Sequence, residues 1–167
     1  ITVCINYNES LVINENNLKL FHYENGSWVN ITTSLDTSAN LICGTVTSLS
    51  PFIVAEPLIQ ATIDIDSDDV RLGSRGGWIT AYIELPAGYD VNNINVSTVR
   101  LNGVVPADPK TDTVGDRDKD GIPDMKIRFD KAEVVALLNP GDNLLTLTGS
   151  LTDGTPFKGS DTLQAIG

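Results

Sequence analysis

Histidine is almost missing from this chain: His22 stands alone among 167 residues. With only two cysteines beside it, no zinc set can be assembled. A Ser-His-Asp triad would need His22, which lies in the strand-like stretch KLFHYE. A surface or half-buried ring is the expectation there. A glycine-rich phosphate loop is also lacking. Basic residues are scarce, with 11 Lys+Arg against 22 Asp+Glu and a formal net charge of −11. Nucleic acid, whose binding is mostly phosphate neutralisation, is thereby excluded as a partner. Attraction to anionic lipid is disfavoured for the same reason. No apolar run approaches the roughly 20 residues of a membrane span, so membrane insertion is not expected. The chain opens on ITVCINY without a signal peptide, the expectation for a mature protein or an excised piece of a longer one. Carboxylates abound, but acids in turns are usually solvated and nothing marks a cleft. The chain is read as not an enzyme.

What is present is alternation. Val3, Ile5 and Tyr7 share a face, as do Leu18 with Leu20 and Val29 with Ile31. Ile63 and Ile65 alternate with Asp64 and Asp66; Ile79, Ala81, Ile83 and Leu85 alternate with Thr80, Tyr82 and Glu84. Met125, Ile127 and Phe129 continue the pattern, then Leu145 and Leu147. Short strands broken by Gly, Asn, Asp and Pro predict an all-β chain of two tandem β-sandwich, immunoglobulin-like modules. The boundary falls near Glu56-Pro57, giving modules 1–57 and 58–167 that are close-coupled, since no Gly/Ser linker separates them. One short helix is expected in the second module. Asp130 caps it, Glu133 completes a capping box, and AEVVALL runs to Asn139 before Pro140-Gly141 stops it. The first module is small, with about five strands and an edge left open. It reads as incomplete, short of strands or completed by one donated from another chain.

The stretch DRDKDGIPD, residues 116–124, crowds four carboxylates into nine positions. It matches the first nine positions of an EF-hand-type calcium loop. Asp116, Asp118 and Asp120 take positions 1, 3 and 5, Gly121 the sharp turn, the Ile122 carbonyl position 7 and Asp124 position 9. Hard oxygen donors in this number select calcium. Position 12 is Ile127 in place of glutamate, and the flanks TDTV and MKIRF read as strands. The pattern therefore predicts a calcium loop at the head of a β-hairpin, with missing ligands from elsewhere. Asp112 and the cluster Asp64, Asp66, Asp68 and Asp69 are the candidates, water being the other source; a solvated strand edge is the favoured reading of that cluster.

Cys4 and Cys43 lie in the strand-like stretches TVCINY and LICGTV. An even count invites a disulfide, but two thiols alone do not establish one. Four N-x-S/T sequons begin at Asn8, Asn25, Asn30 and Asn95. Each is a weak motif for glycosylation. Together with the cysteines and the calcium-type loop they point to an exported, extracellular or cell-surface protein. Trp28, Trp78, Tyr7, Tyr23, Tyr82 and Tyr89 offer material for a sugar-stacking platform. Trp28 in GSWVNIT and Trp78 in GGWITAY, however, each start a strand after glycine, where core or rim packing is the expectation.

VCINY at 3–7, LKLFHYENGSWVNITTSLD at 18–36 and ICGTVTSLSPF at 42–52 resemble a module of long secreted and cell-surface bacterial and archaeal proteins. In that family cysteines occupy the places of Cys4 and Cys43, and further strand sequence usually precedes the VCINY-like segment. WITAYIELPAGYDVNNINVSTVRLNG at 78–103, VGDRDKDGIPDMKIRFD at 114–130 and LTGSLTDGTPFKGSDTL at 147–163 resemble the β-sandwich module that often follows it. The resemblance implies architecture and an extracellular setting, since such modules serve as spacers and stalks. The resulting expectation is a calcium-stabilised subunit of a surface filament or matrix, assembling head-to-tail with copies of itself by strand complementation. The alternatives are a stalk module of a larger protein, or an adhesion module for surface glycans.

Overall fold

The computed structural model describes residues 1–110 and 113–167. The chain is all-β, as the alternation predicts, and separates into two compact units, Ile1–Pro57 and Leu58–Gly167. Among the described residues no helix is long and apolar enough to cross a membrane.

The first unit has six strands, one more than the alternation suggests: β1 (Thr2–Asn6), β2 (Lys19–Glu24), β3 (Ser27–Asn30), β4 (Thr32–Asp36), β5 (Leu41–Thr45) and β6 (Phe52–Ala55). The extra one arises because the chain changes sheets at Ile31. β3 joins the sheet β3-β2-β6, whereas β4 joins β1-β5-β4. Asn25 and Gly26, at φ 49° and 86°, make the two-residue turn between β2 and β3, a conformation that Asn-Gly adopts readily. Leu18, Leu20 and Ile42 form the centre of the core, with Ile5, Tyr7, Val12, Ile31, Leu35, Phe52 and Val54 packed around them. Val29, expected to share the inward face with Ile31, is exposed at the sheet rim. So small a core contributes little hydrophobic stabilisation. A disulfide joins Cys4 to Cys43, which face each other in the β1–β5 register.

The second unit holds β7 (Ile59–Gln60), β8 (Thr62–Asp66), β9 (Asp69–Arg71), β10 (Trp78–Glu84), β11 (Ile94–Leu101), β12 (Val105–Pro106), β13 (Thr113–Gly115), β14 (Asp124–Asp130), β15 (Gly141–Leu151) and β16 (Pro156–Ile166). One sheet runs β13-β14-β10-β8; the other runs β12-β11-β15-β16-β7, with β9 also on β16. Their alternating apolar residues meet in one sandwich-like core. Ile63, Ile65, Ala81, Ile83, Ile127 and Phe129 come from the first sheet, Val99, Leu101, Leu145, Leu147, Phe157 and Leu163 from the second.

The helix α1 (Lys131–Val135) follows β14 and is shorter than the expected run to Asn139. Asp130 caps it, accepting from the N–H groups of Ala132 and Glu133. After Val135 the chain tightens into i→i−3 bonds, Leu137 N–H to Val134 and Leu138 N–H to Val135. That tightening turns Leu137 and Leu138 onto the core beside buried Val134.

The disulfide closes a loop with a sequence separation of 39. By chain entropy such a crosslink stabilises the fold by about 4 kcal/mol. Reduction should therefore unfold the first unit at lower urea while leaving the second in place, giving two transitions. Urea melts followed by tryptophan fluorescence, with and without reductant, check this.

Candidate metal centre

Asp124 is the first residue of β14 and sits where three strands meet. It pairs with Glu84 at the end of β10 and with Gly115 at the end of β13. Its carboxylate is buried, 8% exposed, and accepts the Arg117 N–H at 2.7 Å. The rest of the loop wraps its own carboxylates with its own amides. Gly121 N–H donates to Asp116 at 3.1 Å, Asp120 N–H to Asp118 at 3.3 Å, and Ile122 N–H to Asp120 at 2.7 Å. Gly121 adopts φ +92°, a left-handed turn that side-chain-bearing residues seldom take. Among the described residues two carboxylate groups converge: Asp116 with Asp118 and Asp124, and Glu84 with Asp118 and Asp120. In each, one oxygen per residue lies within 4.8 Å of the others. That spacing suits oxygens about 2.3–2.6 Å from a shared calcium ion.

The place of Glu84 beside the loop is not readable from local spacing. Glu84 is brought to the loop by the β10–β14 register, about 40 residues away in sequence. Partial burial first, then the charges of Asp120, Asp124, Asp118 and Asp116, hold its carboxyl above the usual glutamate range. The carboxylates within each group repel one another, and a hard divalent cation is a chemistry that would relieve them.

Arg117 lies between Asp116 and Asp118 in sequence, yet its guanidinium turns away from the loop. It pairs with Asp64 and, at 3.4 Å, with Asp66, and lies 4.3 Å from the Tyr82 ring centroid. Asp64 and Asp66 thus belong to an ion-pair network instead of the converging groups. Asp68 and Asp69 are not in those groups either; the Asp68 carbonyl accepts from Gln164 N–H, and Asp69 opens β9. Asp112 falls outside the described residues. The Ile122 side chain is exposed.

In the first unit His22 is fully buried, against the expected surface or half-buried position. It shares the inward face of β2 with Leu20 and stacks on Phe52, with centroids 4.7 Å apart. Its Nδ1 lies 2.7 Å from a Glu24 carboxylate oxygen, and its Nε2 accepts the Ser50 N–H at 3.1 Å. The Ser50 hydroxyl reaches both Nε2, at 2.5 Å, and the Tyr23 carbonyl, at 2.7 Å. Ser50, His22 and Glu24 therefore have the connectivity of a nucleophile, a base and an orienting acid. However, the Ser50 N–H is bound to His22, and Pro51 has no N–H, so neither of these amides can hold an oxyanion. The trio works as a clamp that fastens the segment before β6 to β2.

Tyr7 packs in the first core. Tyr23 and Trp28 face each other across β2 and β3 as an exposed edge-to-face pair, 5.2 Å apart. Trp78 lies under Arg128 at 4.0 Å, Tyr82 under Arg117, and Tyr89 is exposed. The sequons differ in geometry as well. The hydroxyl at the third position donates to the asparagine Oδ1 at 2.7 Å in Asn8-Ser10, Asn30-Thr32 and Asn95-Ser97. In the fourth, Asn25 is a turn residue and the Ser27 hydroxyl donates to the Glu24 carbonyl instead.

Compared with known protein families, curated proteins and solved structures, the chain matches none.

Two outcomes check these placements. Glu84→Gln should raise the melting temperature in chelator, because it removes one of the crowded charges. It should also weaken calcium binding by about tenfold or more, the loss typical even of an outer-shell partner. Differential scanning fluorimetry with chelator and with calcium reads both signs. Ser50→Ala should cost the first unit about 1 kcal/mol, the net value of a buried hydrogen bond, as measured by urea unfolding.

Proposed function

We propose that this chain is a non-enzymatic, exported structural protein built from two tandem immunoglobulin-like sandwich modules. Calcium at Asp116, Asp118, Asp120, Asp124 and Glu84 stiffens the second, and the Cys4–Cys43 bridge holds the first. The observation that carries this reading is the convergence of two carboxylate triads sharing Asp118, with the loop's own arginine turned to other partners. A bound cation would stabilise the folded state by mass action and fix the β13–β14 hairpin. The assembly is a head-to-tail filament of copies of this chain. Supporting it, each sheet of the first unit has only three strands, leaving four edges, β1, β4, β3 and β6, over a small core. Strand addition to such an edge is an established mode of association. A heterologous contact that does not close yields a fibre.

Negative-stain imaging before and after chelation tests this. Fibres that fray on removal of calcium are the expected result. Isolated particles in both conditions would sink the filament and leave the stalk-module reading. Asp118→Asn with Asp120→Asn should abolish the calcium-dependent rise in melting temperature; an unchanged rise would remove the metal centre.

A further inference from the structure

The outer face of the β3-β2-β6 sheet is unusually apolar. Leu20 and His22 of β2 point inward, so Phe21 and Tyr23 point outward. The register places Asn30 opposite Phe21, Trp28 opposite Tyr23, and Ile53 opposite Phe21 on the other side. Trp28 is 48% exposed, Ile53 45% and Tyr23 41%. Contiguous exposed apolar residues of this kind call for a covering partner. The patch contains a group that can anchor one. Asn30 begins a sequon, is exposed, and lies two residues from Trp28 on the same strand face.

We infer that Asn30 is an N-linked glycosylation site whose first sugar ring lies on the Trp28–Phe21 face. The inference rests on the exported setting of the proposed function. The Asn30 Oδ1 is held on the chain side by two donors, Thr32 N–H at 3.0 Å and the Thr32 hydroxyl at 2.7 Å. The same hydroxyl accepts the Leu20 N–H at 2.8 Å, which fixes the sequon to β2. With Oδ1 fixed this way, Nδ2 is directed to the solvent side. The donor is a glycosyl diphosphate ester handled by a transferase. Asn30 Nδ2 bonds to the sugar C1 as the C1–O bond breaks. The diphosphate leaves with the electron pair, and Nδ2 loses one proton. A pyranose so attached has an apolar C–H face, and the aromatic rings on either side of Asn30 are placed to receive it. Asn8 has the same Oδ1 geometry without a comparable aromatic sheet face around it. Asn25 lacks the hydroxyl contact altogether.

The test uses the full chain secreted from a host that attaches N-linked glycans, with peptide mass spectrometry at each sequon. Asn30 should be occupied, and occupied more fully than Asn25. Removal of the whole glycan by an amidase should increase acrylamide quenching of tryptophan emission, and this change should vanish in Trp28→Phe. Occupancy at Asn8 with Asn30 empty overturns the inference while leaving the exported reading intact. A quenching change that persists in Trp28→Phe, or none in the original chain, overturns the packing. Empty sequons throughout overturn both this inference and the exported setting on which it rests.

Discussion

Where β10, β13 and β14 meet, two sets of three carboxylates converge and share Asp118, and the repulsion within each set constrains how this corner of the second unit can be built. The Arg117 guanidinium, from the same loop, is drawn off to Asp64, Asp66 and the face of Tyr82. The strand register cannot relax to separate Glu84 from Asp124, since each step along β10 and β14 also places Ile83, Ala81, Ile127 and Phe129 in the core. A one-residue slip would turn those side chains to solvent. The hydrophobic pattern thus enforces the electrostatic conflict, and the proposed cation would relieve it without moving a strand. The loop would then be pinned at that corner.

The two units solve the same problem of stability by different means. The second has two broad sheets over an extensive core. The first has three-stranded sheets and few fully buried side chains, so a crosslink between β1 and β5 and the Ser50–His22–Glu24 clamp take over part of the task. Its edges and its outward aromatic face are the surfaces most in need of cover. A neighbour's strand at an edge and a glycan on the face would each supply it in an exported protein.

Much of the fold was legible because alternation is a local signal. Ile79 through Leu85 and Met125 through Phe129 read as half-buried strands and are so. The turn at Gly121 and the approach of Asp116, Asp118 and Asp124 were legible for the same reason, since they lie within nine residues. The approach of Glu84 to Asp118 and Asp120 was not, because it comes from strand pairing and no residue near Glu84 announces the partner. In the acidic run at 64–69, Asp64 and Asp66 pair with Arg117, a side-chain direction that composition does not encode. His22 carried a readable signal that was overlooked: it continues the period of Leu18 and Leu20, and all three are buried. The helix was placed correctly at its cap and overextended at its end, where Leu137 and Leu138 gain more from the core than from another helical turn.

The most direct measurement is a calcium titration of the isotopically labelled chain followed by backbone amide resonances. The account predicts saturable shifts confined to residues 116–124 and to the neighbourhood of Glu84 on β10, with the 64–69 segment little changed. Shifts centred on 64–69, or none in the loop, would contradict it.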